Sequence, residues 1–283
     1  MHYSRGGELM LIEQEVIKHE VLGPMDLGMR RLVLKGPIAL EAKPGQFVHL
    51  QVGSTQDPLL RRPISIAAID TERQEITLLY KIKGKGTELL SKVGKGQKLN
   101  LMGPLGKGFS LPEQGELWLV AGGIGAFPLF ALAVAGRKQG LIVRLFWGGE
   151  NRSLMECSGL AMWEELEVAF YLSSLDGSIG KKGIVTELFQ QFRQVYLTQP
   201  QQDKPIQVAA CGPQGMLQAL TEQCLGTGLA VEVSLEERMA CAVGACLGCV
   251  ATLKDQEGNV RRAKVCQDGP VFRGEEVVWN ASY

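Results

Sequence analysis

The chain has 283 residues, a length that fits about two domains, each with enough residues to bury a core. Thirty Lys and Arg balance thirty Asp and Glu, so the net charge is zero and no binding to nucleic acid or to anionic lipid is indicated. The 35 glycines are about 12% of the 283 residues, above the usual share of about 7%. This excess indicates backbone held close to ligands.

The first third of the chain, up to about residue 100, consists of short β-type runs separated by Gly-Pro and Pro-Gly turns. Such runs predict an all-β barrel or sandwich. Residues 1–8 have neither an apolar core nor a small-residue cleavage site, so we expect no signal peptide and a cytoplasmic location. Strands are predicted at 15–21, 30–35, 46–52, 63–70 and 75–82, and Gly103, Pro104, Gly106 and Gly108 mark the end of this part.

Residues 117–136 carry no charge over twenty positions, which is long enough for a membrane span. Gly122, Gly123, Gly125 and Pro128 interrupt this run near its centre. Because such residues break a helix, we expect a strand, a turn and a buried helix, and no membrane association.

From residue 116 onward, apolar strands alternate with helical segments, which predicts a parallel sheet with helices on both faces. The fold expected is therefore an antiparallel β-barrel at 8–110, an α/β domain at 111–234 and a small module at 235–283. Strands of the second domain are predicted at 117–121, 142–147, 168–173, 207–210 and 231–234, and its helices at 127–137, 160–165, 185–192 and 215–225. The last module has predicted strands at 249–254 and 262–265.

Four of the seven cysteines lie in the last fifth of the chain, at positions 241, 246, 249 and 266. An odd, clustered set favours a metal site in a reducing compartment over a disulfide framework. The spacing C-x4-C-x2-C…C is that of a plant-type [2Fe–2S] site, so Cys241, Cys246, Cys249 and Cys266 are the predicted ligands. Structural zinc is the alternative, although zinc sites more often pair two C-x-x-C motifs. The remaining cysteines are expected to be small buried side chains: Cys157, Cys211 and Cys224.

Two barrel segments predict an FAD site. In 61–66 (RRPISI) an arginine can pair with a diphosphate and a hydroxyl can reach a flat heteroaromatic ring, although an arginine before proline is more often a solvated turn. In 79–87 the glycines free amides for phosphate, and Thr87 can start a helix whose N-terminus favours an anion. The candidate FAD residues are Arg62, Pro63, Ile64, Ser65, Leu79, Tyr80, Lys81, Gly86 and Thr87.

A second glycine-rich set predicts a dinucleotide site in the α/β domain. Residues 121–128 (AGGIGAFP) follow a strand and open a helix, and 147–149 and 211–213 end further strands of the same sheet. Open α/β sheets bind ligands at this carboxyl edge, whereas close helix–strand packing is the structural alternative. The candidate NAD residues are Gly122, Gly123, Gly125, Cys211, Gly212 and Pro213.

The motifs RRPIS, GKGT, GGIGAFP, DGSIGKKGIVT, CGPQGM, CAVGACLGC and VCQDGPVF follow one another over nearly the whole chain. In this order they resemble the electron-transfer subunits of bacterial two-subunit dihydroorotate dehydrogenases, in the ferredoxin–NADP reductase superfamily. The resemblance implies FAD on the barrel, NAD in the α/β domain and a [2Fe–2S] cluster facing an FMN-containing catalytic subunit, with two copies of each subunit, in pyrimidine biosynthesis. It also implies that Arg62 holds the FAD diphosphate and that Ser65 lies near flavin N5, while Ile64 replaces the superfamily's stacking tyrosine.

Hydride transfer moves two electrons and a [2Fe–2S] cluster accepts one, so a flavin between them is needed. The resemblance implies that electrons pass from FMN through the cluster and FAD to NAD+. We expect no acid–base catalyst here, since the three histidines, His2, His19 and His49, all lie in the N-terminal fifth. A related NAD(P)H–ferredoxin oxidoreductase or hydrogenase-type diaphorase subunit is the second interpretation, and a structural zinc module is the third.

The segment 173–176 (SSLD) bears on the choice between NADH and NADPH. NADPH-using relatives place a Ser-Arg pair there, whereas Asp176 would repel a 2′-phosphate and suit a free ribose hydroxyl. The sequence therefore predicts NADH. Lys181 and Lys182 follow closely and could restore a phosphate site.

Overall fold

The structure is a computed structural model that describes residues 10–53, 57–198 and 204–279. Several sequence predictions lie outside these residues. They are the absence of a signal peptide at 1–8, His2, and the outer ends of the predicted first and last domains at 8–9 and 280–283.

The N-terminal part is a closed barrel of six antiparallel strands in the order β1-β2-β5-β4-β3-β6. Alternating apolar residues such as Leu32, Leu34, Val48 and Leu50 fill its interior. The sequence analysis missed the sixth strand, which pairs with both β1 and β3 and so closes the barrel. The strands are β1 (Met10–Val21), β2 (Met29–Lys35), β3 (Phe47–Leu50), β4 (Arg62–Asp70), β5 (Glu75–Lys81) and β6 (Lys98–Leu105), with short helices α1 (Ile38–Glu41) and α2 (Lys85–Leu90).

The middle of the chain forms a parallel sheet covered by helices on both faces, as predicted. Its three central strands are nearly continuous apolar runs because both faces are buried there. The strands are β7 (Glu116–Gly122), β8 (Ile142–Gly149), β9 (Ala169–Ser174), β10 (Lys181–Lys182), β11 (Ile206–Cys211) and β12 (Ala230–Ser234). The helices are α3 (Ala126–Lys138), α4 (Arg152–Cys157), α5 (Leu160–Glu165), α6 (Val185–Leu197) and α7 (Gln214–Cys224), of which α4 was not predicted.

The charge-free run at 117–136 divides as predicted into β7, a single 3-10 turn at Gly123–Gly125, and α3. Both segments are buried in the α/β domain. No helix in the described part of the chain is long and apolar enough to cross a membrane.

The C-terminal module consists of a cysteine-bearing loop, a hairpin of β13 (Val250–Lys254) and β14 (Val260–Lys264), and β15 (Val271–Arg273). Strand β15 was not predicted. It pairs antiparallel with β12 and becomes the seventh strand of the sheet, in the order β10-β9-β8-β7-β11-β12-β15. The module therefore leaves the sheet at β12 and returns to it at β15.

One hydrophobic core joins all three parts. Phe47 and Leu105 of the barrel pack in the same cluster as Val233 of the sheet and Leu253 and Val265 of the hairpin. Each such side chain, once buried, contributes about 1.5–3 kcal/mol, so the three parts hold one another in place.

Candidate cofactor and nucleotide sites

The loop that follows β12 brings the four predicted ligand cysteines together. Cys249 and Cys266 are buried, Cys241 is half-buried and Cys246 is exposed. Backbone with positive φ at Ala242, Gly244 and Leu247 curls the loop inward. The Gly244 amide donates to Cys266 Sγ at 3.2 Å, a bond that links the loop to the cysteine beyond β14.

Further amides of the loop point at the sulfur atoms. The Cys246 amide lies 3.4 Å from Cys241 Sγ, the Gly248 amide 3.4 Å from Cys246 Sγ and the Val243 amide 3.5 Å from Cys241 Sγ. Such donors stabilise the negative charge of thiolates that bind iron. The donor set therefore fits an iron–sulfur cluster.

The sulfur atoms form two pairs. Burial opposes ionisation of Cys241, but hydrogen bonds from the Val243 amide, the Cys246 thiol and neighbouring amides lower its pKa to about 6. Burial and a hydrogen bond to Cys249 raise the pKa of Cys266 to about 12. Among the described residues, no group of three or more His, Cys, Asp or Glu could hold one metal ion. The pairs Cys241 with Cys246 and Cys249 with Cys266 fit the two irons of a [2Fe–2S] cluster.

The predicted diphosphate arginine lies in a cradle built around a glycine. The Arg62 guanidinium packs so closely on Gly86 that a Cβ there would stand 2.2 Å from Arg62 Nε. Arg62 Nη1 also donates to the carbonyls of Leu60 and Arg61. A cleft of about 830 Å³ opens beside Arg62 and Gly86. This arrangement leaves a cation facing open space, which fits a diphosphate.

A cavity of about 250 Å³ lies between the barrel and the sheet. Eight of the nine predicted FAD residues line it, and Gly86 lines the adjoining cleft. The predicted residues in the cavity are Arg62, Pro63, Ile64, Ser65, Leu79, Tyr80, Lys81 and Thr87. The sequence analysis missed Lys83 of the 79–87 segment and other lining residues that come from distant segments: Phe47, Phe127, Glu236, Met239 and Pro270.

Three details of this site concern Thr87, Ile64 and Tyr80, and only the position of Thr87 differs from expectation. Thr87 lies inside α2 and does not start it, because its hydroxyl accepts from the amides of Lys83 and Gly84 and donates to the Gly84 carbonyl. Ile64 belongs to the barrel core, so no ring stacks from that position. The Tyr80 hydroxyl bonds to His19 Nε2 at 2.9 Å.

The glycine turns of the α/β domain pack against each other. A Cβ on Gly125 would stand 2.1 Å from the Cys211 carbonyl oxygen, and one on Gly122 would stand 2.7 Å from Pro213 Cδ. For these two glycines the packing explanation holds. Gly123 differs, because nothing lies within 4 Å of its Cβ position and its carbonyl accepts from Trp147 Nε1 at 2.9 Å.

Five of the six predicted NAD residues line a cavity of about 610 Å³: Gly122, Gly123, Gly125, Gly212 and Pro213. The sixth, Cys211, lines the smaller flavin-side cavity. Burial, together with the charge of Glu236, raises the pKa of the Cys211 thiol, which stays protonated at neutral pH. Lys83, Ile124 and Glu236 line both cavities, so the two adjoin. Cys157 and Cys224, like Cys211, are buried.

A cation that sequence alone did not reveal lies beside the segment that is predicted to select the nucleotide. Hydrogen bonds from the hydroxyl and amide of Ser178 lower the pKa of Asp176. Arg152, from the start of α4, donates through its amide to Ser178 Oγ at 2.8 Å and through Nε to Ser178 O at 3.2 Å. The segment 173–176 itself carries no arginine, but Arg152 reaches the neighbouring Ser178 in space, whereas the sequence analysis considered only Lys181 and Lys182.

Within the described part of the chain, neither cavity is lined by a histidine. His49 is fully buried, and burial with the nearby charge of Arg61 lowers its pKa to about 4. His19 bonds to the Val93 carbonyl and to Tyr80. Both described histidines thus lie on strands of the barrel, His19 on β1 and His49 on β3.

Comparisons with known proteins agree with this arrangement. The model of the iron–sulfur cluster binding domain of dihydroorotate dehydrogenase B matches residues 236–278. The model of the oxidoreductase FAD-binding domain matches residues 11–109. A structure titled as an NADH-dependent reduced ferredoxin–NADP oxidoreductase that performs flavin-based electron bifurcation is similar, with a TM-score of 0.78 and 27% identity, over 94% of this chain and 90% of that chain.

Curated relatives named dihydroorotate dehydrogenase B (NAD(+)), electron transfer subunit, match nearly end to end. The protein of Desulforamulus reducens is 40% identical over 246 residues, which cover 86% of this chain and 89% of the relative. The protein of a Geobacillus species is 38% identical over 94% of this chain and 98% of the relative. The chain therefore belongs to the family of electron transfer subunits of NAD(+)-dependent dihydroorotate dehydrogenase B.

Proposed function

We propose that this chain is the electron-transfer subunit of an NAD-linked oxidoreductase that converts dihydroorotate to orotate in pyrimidine biosynthesis. The observation that carries the proposal is the junction of a four-cysteine loop, a flavin-type cavity and a dinucleotide-type cleft in one chain. No described histidine lines either cavity, and we propose that the acid–base chemistry on dihydroorotate belongs to a separate catalytic subunit that contains FMN.

Each part of the site has a defined task in this proposal. When bound, the [2Fe–2S] cluster supplies single-electron transfer and FAD supplies the exchange between hydride and single electrons. Arg62 pairs with the FAD diphosphate, and the Ser65 hydroxyl hydrogen-bonds near flavin N5. The open Gly123 turn would hold the dinucleotide pyrophosphate, and the buried, protonated Cys211 thiol would border the flavin-side cavity.

The exposed end of the cysteine loop is the proposed contact with the catalytic subunit. Cys246 is exposed, and its neighbours Val243 and Leu247 are 37% and 65% exposed. Apolar residues around a redox centre suit protein docking. We further propose two copies of each subunit, a cytoplasmic location, and the division of the chain into parts 8–110, 111–234 and 235–283.

The direct test is the composition of the purified protein, alone and co-expressed with its catalytic subunit. We expect one FAD, two irons and two acid-labile sulfides per chain, and co-purification of an FMN protein that oxidises dihydroorotate with NAD+. Zinc in place of iron would contradict the cluster. A cluster-loaded protein that reduces ferredoxin and binds no dihydroorotate dehydrogenase would favour the ferredoxin oxidoreductase alternative.

A further inference from the structure

The cleft of about 610 Å³ has two walls that come from different parts of the chain. The turns at Gly122–Gly125 and at 212–214 form one wall. The other wall is formed by the cysteine-bearing module, with Thr252 on β13 and Trp279 after β15. A module that only held a cluster would have no need to reach this cleft.

One side-chain hydrogen bond joins the second wall to the first, and two backbone contacts hold the second wall together. Gln214 Nε2, at the start of α7, donates to the Trp279 carbonyl at 2.9 Å. The Val278 amide donates to the Thr252 carbonyl at 3.0 Å, and Leu253 forms a β-bridge with Val277. Thr252 and Trp279 thus face the glycine turns across a defined gap.

We propose that Thr252 and Trp279 are dinucleotide-binding residues, so that the cluster module also completes the NAD cleft. This inference rests on the proposed function, in which the cleft binds NAD. An indole offers a flat apolar surface for a planar nicotinamide or adenine ring, and a threonine hydroxyl suits a ribose hydroxyl or a phosphate oxygen.

Trp279 is distinguished from the other tryptophans by its position. Trp118, Trp147 and Trp163 are at most 2% exposed and belong to the core of the α/β domain. Trp279 is only partly buried and lines the cleft. Trp279 is therefore partly accessible from the cleft, unlike the three core tryptophans.

The same strand carries a cluster ligand and the cleft wall. Cys249 immediately precedes β13, and Thr252 is three residues further on, about 10 Å along an extended chain. The Cys249 carbonyl also accepts from the Val265 amide at 2.8 Å, next to Cys266. The hairpin thus joins the cluster site and the dinucleotide cleft as one rigid piece.

The test measures the Kd of NAD+ by equilibrium dialysis on protein loaded with FAD and cluster. We expect Trp279→Ala to weaken NAD+ binding about tenfold and Thr252→Val about threefold, the usual effects of a lost ring contact and a lost hydrogen bond. Trp279→Phe should keep most of the affinity. The control Val260→Ala, at a 67% exposed site on the same hairpin outside the cleft, should leave the Kd unchanged.

FAD and iron contents are measured in every variant. If Trp279→Ala loses either cofactor, Thr252→Val decides the outcome. A Kd within twofold of the parent in the deciding variants would overturn the inference and leave the proposed function intact. A parent protein that does not bind NAD+ at all would overturn both.

Discussion

At the scale of single residues, the region around Asp176 combines opposite charges. The Asp176 carboxylate accepts two hydrogen bonds from Ser178, which also accepts from Arg152. Arg152 is in turn paired with Glu156 at 3.5 Å, which reduces its attraction for a 2′-phosphate. The carboxylate is the less compensated charge, so NADH remains the predicted nucleotide.

We expect Asp176→Ser to reduce the preference for NADH over NADPH. Rapid reduction of bound FAD should give a higher kred/Kd for NADH than for NADPH in the parent, and the ratio should fall about tenfold in the variant because the repulsive charge is lost. Asp255→Ser is the matched control, since Asp255 caps a turn through Asn259 and does not line the cleft. Equal ratios in parent and Asp176→Ser would mean that Arg152 or Lys182 determines the preference.

At the scale of elements, a buried ion pair ties the base of the sheet together. Glu116 of β7 accepts from Arg144 Nε of β8 at 2.9 Å and from Trp118 Nε1 at 2.8 Å, and it also bonds to the Tyr196 hydroxyl of α6. The Arg144 guanidinium lies 5.0 Å from the centre of the Tyr196 ring. One carboxylate thus connects two strands and a helix.

Removing one partner of this pair should be costly. We expect Arg144→Met to lower the free energy of unfolding by about 3–5 kcal/mol, because Glu116 is left buried and unpaired. The surface pair Arg273–Glu275 is the control, and Arg273→Met should change the free energy by less than about 1 kcal/mol. Urea unfolding at pH 7 measures both, and equal losses would contradict the buried role.

The same pair predicts a pH dependence. Burial raises the pKa of Glu116, but hydrogen bonds from Arg144, Trp118 and Tyr196 outweigh it and hold the pKa below the usual 4.5. A lowered pKa contributes stability above pH 4.5 that is lost as the pH falls through the folded value. Arg144→Met should therefore lose less stability than the parent when unfolding is compared at pH 7 and pH 4.

The variant Cys246→Ser should distinguish reduction of the flavin by NADH from delivery of electrons to the catalytic subunit. Cys246 is exposed at the outer end of the loop, away from the flavin-side cavity, whose lining does not include it. We expect NADH to bleach the flavin of the variant at a rate within about threefold of the parent, while electron delivery to the catalytic subunit falls at least about a hundredfold. Loss of flavin bleaching in a folded, FAD-loaded variant would contradict the order in which FAD lies between NADH and the cluster.

Sequence patterns predicted the barrel, the parallel sheet and the cysteine ligands because each depends on spacing within one segment. Strand β6 was missed because Gly103 and Pro104 read as a turn, although they lie within a strand that closes the barrel. The three-residue β15 is stable only because β12 is beside it, which no local pattern reveals. Arg152, Glu236 and Trp279 reach the sites from segments without a recognisable motif.

At the scale of the whole molecule, the C-terminal module is anchored at both ends. Many carriers shuttle a redox group on a single flexible connection, and their turnover depends on how quickly that domain swings. Here the chain departs from β12 and comes back as β15, two strands that lie side by side in one sheet. Because the module is attached to the sheet at both ends, the cluster site cannot swing away from the rest of the chain. Glycerol should accordingly leave the rate at which NADH reduces the cluster unchanged in stopped-flow measurements, whereas a rate that falls in proportion to viscosity would show that the module detaches during each turnover.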